Sequence, residues 1–455
     1  MNVLGTTRGK AARIAWHGAA LALALASCAP PPPTPPPPPP AEEGASETPI
    51  PSPPPVPESR AEQPRISVGL AWDLDSLTLD PVGAAQIEST EPRVLAAGAR
   101  LAVGLRLGRI VARSVSEAER WEIELPARDT LWLWGSDGPE GGAARFIRWK
   151  GRSWRGTFKV FVNPRGRLTL ALRLPLEDYL LGVVPGEIGP LAEERFQAGR
   201  AQAIAARSYT LFYRGRRTLE GFDLYGTVED QVYGPVDDER PLATRCVTST
   251  AGEVALSAGR PIRANYSSTC GGITSEVWEA WPAAPMPYLV SHLDRGEAGD
   301  HCGASPHHRW REEWSVAELL ANLRTHGPFH GIRMPAGGTG ELLDVRVSER
   351  SRSGRVWRLV VETSRGSIVI PAYSLRQMMR RPGNPAAILR SNLFKVEVRR
   401  DPRTRRALAV VASGAGSGHG VGLCQTGALG MAQRGADAAA IMRHYYPGVI
   451  LTRVY

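Results

Sequence analysis

Residues 174–190 read Leu-Pro-Leu-Glu-Asp-Tyr-Leu-Leu-Gly-Val-Val-Pro-Gly-Glu-Ile-Gly-Pro, and their second half closes apolar residues around one carboxylate, Glu187. No Lys or Arg interrupts the run. Such surroundings resist ionisation and push a carboxyl pKa upward. A carboxyl kept partly protonated near neutral pH can donate a proton to a leaving oxygen and later take one back, which is the chemistry of glycosidic cleavage. The plainer reading is a turn-capping Glu at the surface between two Gly-Pro kinks. Residues 176–184 read as a short helix, with Glu177 and Asp178 in the first turn, where the helix dipole favours them.

Before this run the chain reads as strands. Alternation over 66–72, the mixed Leu/Val/Ile of 101–115, and the segments 131–134, 158–162 and 167–172 around an Asn-Pro-Arg-Gly turn predict a β-rich part. After the run, an Ala-rich helix is expected over 192–213. Arg200, Arg207 and Arg214 recur every seven residues on one of its faces. A solvated or salt-bridged stripe is one reading of that row. The other has Arg200 and Arg207 facing a ligand beside Glu187. The fold class expected is α+β, a β-rich N-terminal part with a mixed α/β catalytic part and a substrate groove between them.

The N-terminus is organised differently. Arg8, Lys10 and Arg13 precede a short apolar stretch, then Leu25-Ala-Ser-Cys28. This is the pattern of a secretory signal, and its last four residues resemble a bacterial lipobox in which Cys28 is acylated. Acyl chains on Cys28 give a membrane anchor. Residues 30–40 are proline except Thr34, and the bias continues to Pro57. Such a segment forms an extended polyproline tether that reaches on the order of 100 Å. The expected organisation is therefore 1–28 lipoprotein signal, 29–64 tether, 65–165 β-rich part and 166–455 catalytic domain, in an exported lipoprotein of the cell envelope, periplasmic and membrane-anchored.

With 455 residues, 42% hydrophobic and 22% charged, the folded part is ordinary for a globular protein, and the net charge of +10 permits an anionic partner without choosing one. No nucleic-acid-binding pattern is present, so no nucleic-acid partner is expected.

Four cysteines follow the tether: Cys246, Cys270, Cys302 and Cys424. An exported location favours disulfides. A Cys270–Cys302 bridge is expected to staple the Trp- and Pro-containing loop between them. A metal reading, with His301, His307 and His308 near Cys302, lacks regular ligand spacing. Cys246 and Cys424 have no assignment. In 414–428 a glycine stands at every second position from Gly414 to Gly422. No βαβ unit surrounds this run, which argues against a dinucleotide loop. His419 and Gln425 are its polar groups, either of which can bind a sugar or orient a catalytic group, although a lone His in a tight turn is as well explained structurally.

Six segments in order resemble the SpoIID/LytB family, known from stage II sporulation protein D and amidase enhancer. They are 174–187, Ala-Gln-Ala-Ile-Ala-Ala-Arg-Ser-Tyr at 201–209, Asp-Gln-Val-Tyr at 230–233, Ser-Thr-Cys-Gly-Gly-Ile-Thr at 268–274, His-Gly-Val-Gly-Leu-Cys-Gln at 419–425 and His-Tyr-Tyr-Pro-Gly at 444–448. The resemblance covers roughly residues 65–455. It implies a lytic transglycosylase that cuts the bond between N-acetylmuramic acid and N-acetylglucosamine in peptide-free peptidoglycan glycan. Glu187 then stands as single general acid/base, and Arg207 and Arg200 are glycan contacts, Arg200 where a Lys is common. Ser268, Thr269, His419 and Gln425 complete the expected substrate-binding set. An N-acetylmuramoyl-L-alanine amidase is a further candidate partner, and a non-catalytic, glycan-binding amidase enhancer is the alternative function. Glu177, Asp178 and Asp230 are candidate second carboxylates. Some members hold zinc just before the Gln-Val-Tyr segment. Residues 223–233 here contain no Cys or His, so no metal and no cofactor is expected. Ser267 stands where a His is often found, which removes one sugar contact.

Overall fold

Alternating apolar residues build the first half. A computed structural model describes residues 62–89, 92–116, 120–136 and 146–455; the signal, Cys28 and most of the tether lie outside them. In strand Arg65–Leu74 the side chains of Ile66 and Val68 are buried, in Ser76–Pro81 those of Leu77 and Leu79, and in Leu131–Gly135 those of Leu131 and Leu133. Each strand thus turns one face inward, as a half-solvated sheet requires. A seven-stranded sheet runs in the order Leu224–Tyr225, Arg65–Leu74, Leu168–Pro175, Thr157–Val162, Leu131–Gly135, Ala85–Glu88, Arg93–Leu95. Only the two-residue Leu224–Tyr225 strand pairs in parallel. A second sheet of six strands runs Arg152–Trp154, Ile147–Trp149, Ser76–Pro81, Arg100–Arg106, Arg109–Val115, Glu122–Leu125.

Strand Leu168–Pro175 leads straight into helix α1 (Leu176–Ile188), which buries Leu176, Tyr179, Leu180, Val183 and Val184. The helix is one turn longer than its sequence suggests, because Pro185 does not end it. Proline removes one backbone donor from a helix interior, yet α1 continues to Gly189, whose φ of 74° breaks it. Glu187 therefore projects from the last helical turn and not from a surface turn. A short 3-10 turn, Glu193–Arg195, precedes α2 (Phe196–Tyr213). In α2 the residues Ala198, Ala201, Ala203, Ala205 and Ala206 are all fully buried, so neighbours approach on every side. Around α2 pack α1, α3 (Pro241–Ser249), strand Glu253–Ser257 and the C-terminal helices α6 (Gln425–Gln433) and α7 (Ala438–Tyr445). These elements share one hydrophobic core with both sheets.

A second core lies further along the chain. Trp314, Leu319, Leu323, Val356, Leu359, Ile370 and Leu375 are among its fully buried residues. It is enclosed by the sheet Trp310–Ser315, Ala407–Gly414, Phe394–Arg400, by the sheet Leu342–Arg350, Val356–Thr363, Gly366–Pro371, and by α4 (Val316–His326) and α5 (Ala372–Met378). Helix α4 begins with a side-chain cap, Ser315 Oγ accepting from Glu318 N–H at 3.2 Å. Strands Tyr266–Ser267 and Leu423–Cys424 pair in parallel, and between them the chain adds Cys270, Val277, Leu289 and Cys302 to the first core before it builds the second. Among the described residues no helix is long and apolar enough to cross a membrane.

Candidate active site

Glu187 owes its surroundings to two glycines. A Cβ on Gly182 would lie 2.6 Å from the Tyr233 ring, and one on Gly186 would lie 3.4 Å from Val232. Their absence lets the segment 226–234 press against α1, where Gly234 N–H donates to the Gly182 carbonyl at 3.1 Å. This contact brings the Val232 N–H to Glu187 Oε1 at 2.8 Å. From the other end of the chain, Gln425 Nε2 donates to the Glu187 backbone carbonyl at 2.8 Å. Burial pushes the Glu187 carboxyl above its ordinary value, while hydrogen bonds from Val232, Gln425 and Tyr266 pull it partly back.

Behind the carboxyl stands a saturated amide. Gln231 is fully buried. Its Oε1 accepts from Thr210 Oγ1 at 2.7 Å and from the Tyr179 hydroxyl at 3.2 Å. Its Nε2 donates to the Tyr266 hydroxyl at 2.9 Å and to the Ala206 carbonyl at 3.3 Å. All four valences of the amide are used. The Tyr266 hydroxyl, which accepts from Gln231, is also one of the groups that lower the Glu187 carboxyl. Gln231 thus ties α1, α2 and strand Tyr266–Ser267 together behind one carboxylate. The Gln-Val-Tyr motif carried this signal in sequence, but Tyr266 and the backbone of Val232 were not singled out as site residues.

The expected second carboxylates are committed elsewhere. Asp230 is buried between Arg216 (3.0 Å) and Arg217 (3.2 Å) and also accepts from Tyr225 N–H. Glu177 accepts two bonds from Arg207, at 2.8 and 2.7 Å, and others from Gly252 N–H and the Tyr455 hydroxyl. Its pKa is lowered: burial would raise it, and the Arg207 fork outweighs that. Asp178 is half-buried at the α1 start.

This geometry corrects the reading of Arg207 as a glycan contact. Arg207 is completely buried, and its remaining donors reach the Glu253 and Ala203 carbonyls. Periodicity had shown that the arginines share a face, but not that this face is turned into the core at Arg207. Arg200 donates to Gln197 one turn earlier on the same helix, at 3.2 Å. Thr269 is buried, with its hydroxyl on Ser305 and Thr426, and the Ser268 carbonyl accepts from Thr426 N–H. His419 packs against Trp281 with the rings tilted by 55° and centroids 4.7 Å apart, and Nδ1 accepts from Val421 N–H at 3.0 Å. Burial, reinforced by Arg376 and Arg355, lowers His419 to about 3, so the ring is neutral near pH 7. A cavity of about 520 Å³ lies away from Glu187, lined by Arg309, Trp310, Arg350 and Phe394 among others.

Cys270 and Cys302 come together as expected, but as free thiols with sulfurs 3.8 Å apart, far beyond the roughly 2.05 Å of a disulfide. A third thiol, Cys424, joins them. Cys246 is buried apart, its sulfur against the Phe196 carbonyl and the Gly199 backbone.

A β-rich support, the α1–α2 pair and one carboxylate backed by Gln231 and Tyr266 make up the candidate site. Residues 164–256 match the family model described as Stage II sporulation protein, and residues 290–422, which include most of the second core, match a domain of unknown function, DUF8618. Over the first of these segments the chain is similar to the SpoIID/LytB family. It is 28% identical over 294 residues to a protein of Brachyspira hyodysenteriae described as uncharacterized, covering 64% of this chain and 70% of that one. It is 28% identical over 307 residues to the amidase enhancer of Bacillus subtilis (60% of this chain), and spans only 40% of that protein's length. With stage II sporulation protein D of Bacillus amyloliquefaciens the identity is 26% over 291 residues, covering 61% and 74% of the two chains.

Proposed function

We propose that this chain acts in the cell wall as a peptidoglycan lytic transglycosylase with Glu187 as its single acid/base. The observation that carries the reading is a solitary carboxyl, raised by burial and braced by Val232, Tyr266 and Gln425, with Glu177 and Asp230 bound to arginines. Hydrolysis by the usual routes needs two placed carboxylates; the transglycosylase route needs one. Glu187 donates its proton to the bridging oxygen as the bond from the muramic C1 breaks. The resulting carboxylate takes the proton of the muramic C6 hydroxyl as O6 bonds to C1, closing a 1,6-anhydro ring without water. Tyr266 orients the carboxyl, and Gln425 fixes the helix turn that carries it. Cys28 acylation and the proline tether hold the domain at the envelope, within reach of glycan strands.

The second reading, a glycan-binding enhancer of an amidase, is favoured by the likeness to the protein named amidase enhancer. One experiment separates the two. Purified protein is incubated with amidase-treated peptidoglycan and the products are analysed by mass spectrometry. The enzyme gives 1,6-anhydromuramyl ends, and Glu187→Gln gives none while still binding glycan. Binding without such ends in the unmodified protein selects the enhancer.

A further inference from the structure

Three buried thiols and one buried carboxylate meet behind the Gln425 loop. Cys270, Cys302 and Cys424 are each about 1% exposed and Asp294 is fully buried, and one ligand atom from each lies within 4.8 Å of the others. The Cys270–Cys302 sulfur separation is 3.8 Å. A tetrahedral zinc with Zn–S bonds of about 2.3 Å has S···S edges of about 3.8 Å. Cys270 Sγ lies 2.9 Å from Asp294 Oδ2, shorter than such an edge, so the carboxylate moves outward on metal binding.

The surroundings are those of a thiolate site. Backbone N–H groups of Cys270 (3.1 Å) and Gly427 (3.3 Å) point at Cys424 Sγ, and that of Gly272 (3.4 Å) at Cys270 Sγ. Asp294 Oδ1 is held by His444 Nε2 at 3.0 Å and the Tyr445 hydroxyl at 2.8 Å, leaving Oδ2 for the sulfurs. Outer partners of this kind orient metal ligands. A Cβ on Gly427 would sit 2.7 Å from Asp294 Oδ2 and 3.2 Å from Cys424 Sγ, so only glycine leaves the space clear. The guanidinium of fully enclosed Arg355 donates to the Cys270 carbonyl at 3.0 Å, supplying positive charge beside the sulfurs. A disulfide between any two of the thiols would strand the third beside a buried carboxylate.

We infer that Cys270, Cys302, Cys424 and Asp294 bind a structural zinc ion. Each thiol loses its proton to solvent as zinc binds, and the metal clamps the 268–274 loop, the 294–302 segment and the start of α6. Gln425, the next residue after Cys424, is thereby held on Glu187. This site uses other residues than 223–233, and it replaces the expected Cys270–Cys302 bridge and the expectation of a metal-free domain.

The test is the zinc content of the full chain, purified without added metal or chelator, measured by plasma mass spectrometry. About one zinc per chain is expected, released stoichiometrically as an organomercurial titrates the thiols. Cys302→Ser and Cys424→Ser lower the zinc content at least about tenfold, whereas Cys246→Ser retains it. Should the ligand variants fail to fold, protein produced with cobalt gives an independent readout: a thiolate-to-cobalt charge-transfer band with tetrahedral ligand-field absorption. A Cys270–Cys302 disulfide in peptide maps, four free thiols without metal, iron or copper in place of zinc, or a cobalt spectrum lacking the thiolate band would each overturn the assignment.

Discussion

Replacing Arg207 with Met tests whether this guanidinium holds the fold or meets substrate. Its side chain has no exposed surface, and that of its partner Glu177 is 20% exposed. The substitution leaves the Glu177 carboxylate without its cation and the Glu253 carbonyl without its donor at 3.0 Å. Breaking a buried pair from one side costs about 3–5 kcal/mol, and the residual exposure of Glu177 places this case near about 3 kcal/mol. That is on the order of a hundredfold in the folding equilibrium. The suitable probe is hydrogen exchange of α1 and α2 amides at increasing urea, which reads these two helices directly. Arg207→Met should lower the opening free energy of both helices together, and Glu177→Gln in the same chain should recover part of the loss. The dependence on pH follows from the lowered Glu177 pKa. Its contribution is fully present above the unfolded value near 4.5 and is lost as pH falls through the lower folded value. The variant should therefore lack this acid-sensitive share of stability. Unchanged exchange in Arg207→Met, with weakened glycan binding, would refute the placement of Arg207 in the core.

Glu187 must be protonated to act as acid, so activity should fall as pH rises through its raised pKa. Tyr266→Phe removes a bond that lowers this pKa and should move that alkaline limb upward, read from the pH profile of anhydro-sugar release. Gly182→Ala forces a methyl against the Tyr233 ring and the 226–234 segment. It should cost about 1–3 kcal/mol by urea unfolding and loosen the Val232 bond to Glu187, seen as a shifted Glu187 titration. Trp314→Ala empties the centre of the second core and leaves the Arg380 carbonyl without its 2.6 Å donor. A loss of about 3–5 kcal/mol is expected, confined in exchange experiments to 310–414.

Much of the first core was legible because its signals are local. Strands with one buried face, such as Leu131–Gly135, print their period directly, and the Ala-rich centre of α2 announces close packing. The raised carboxyl at Glu187 followed from its apolar neighbours alone. What stayed hidden depends on partners distant in sequence. Arg207 reads as one of a regular stripe, and only the arrival of Glu177 from α1 and Glu253 from the following strand shows that it is enclosed. The helix expected over 176–184 runs on through Pro185 to Ile188, where it packs against 226–234. The meeting of Cys424 with Cys270 and Cys302 spans 154 residues in one of its contacts, and no spacing rule for metal ligands reaches that far.

The bond from Gln425 to Glu187 joins residues 238 positions apart, and the whole second core is threaded between them. Chains emerge from the ribosome N-terminus first, so α1, α2 and the carboxyl exist long before the amide that braces them. A chain cut short between Tyr266 and Gln425 carries the acid with its Val232 and Tyr266 partners but lacks the amide that fixes its helix turn, and so the completeness of synthesis is itself a condition for the full site to form.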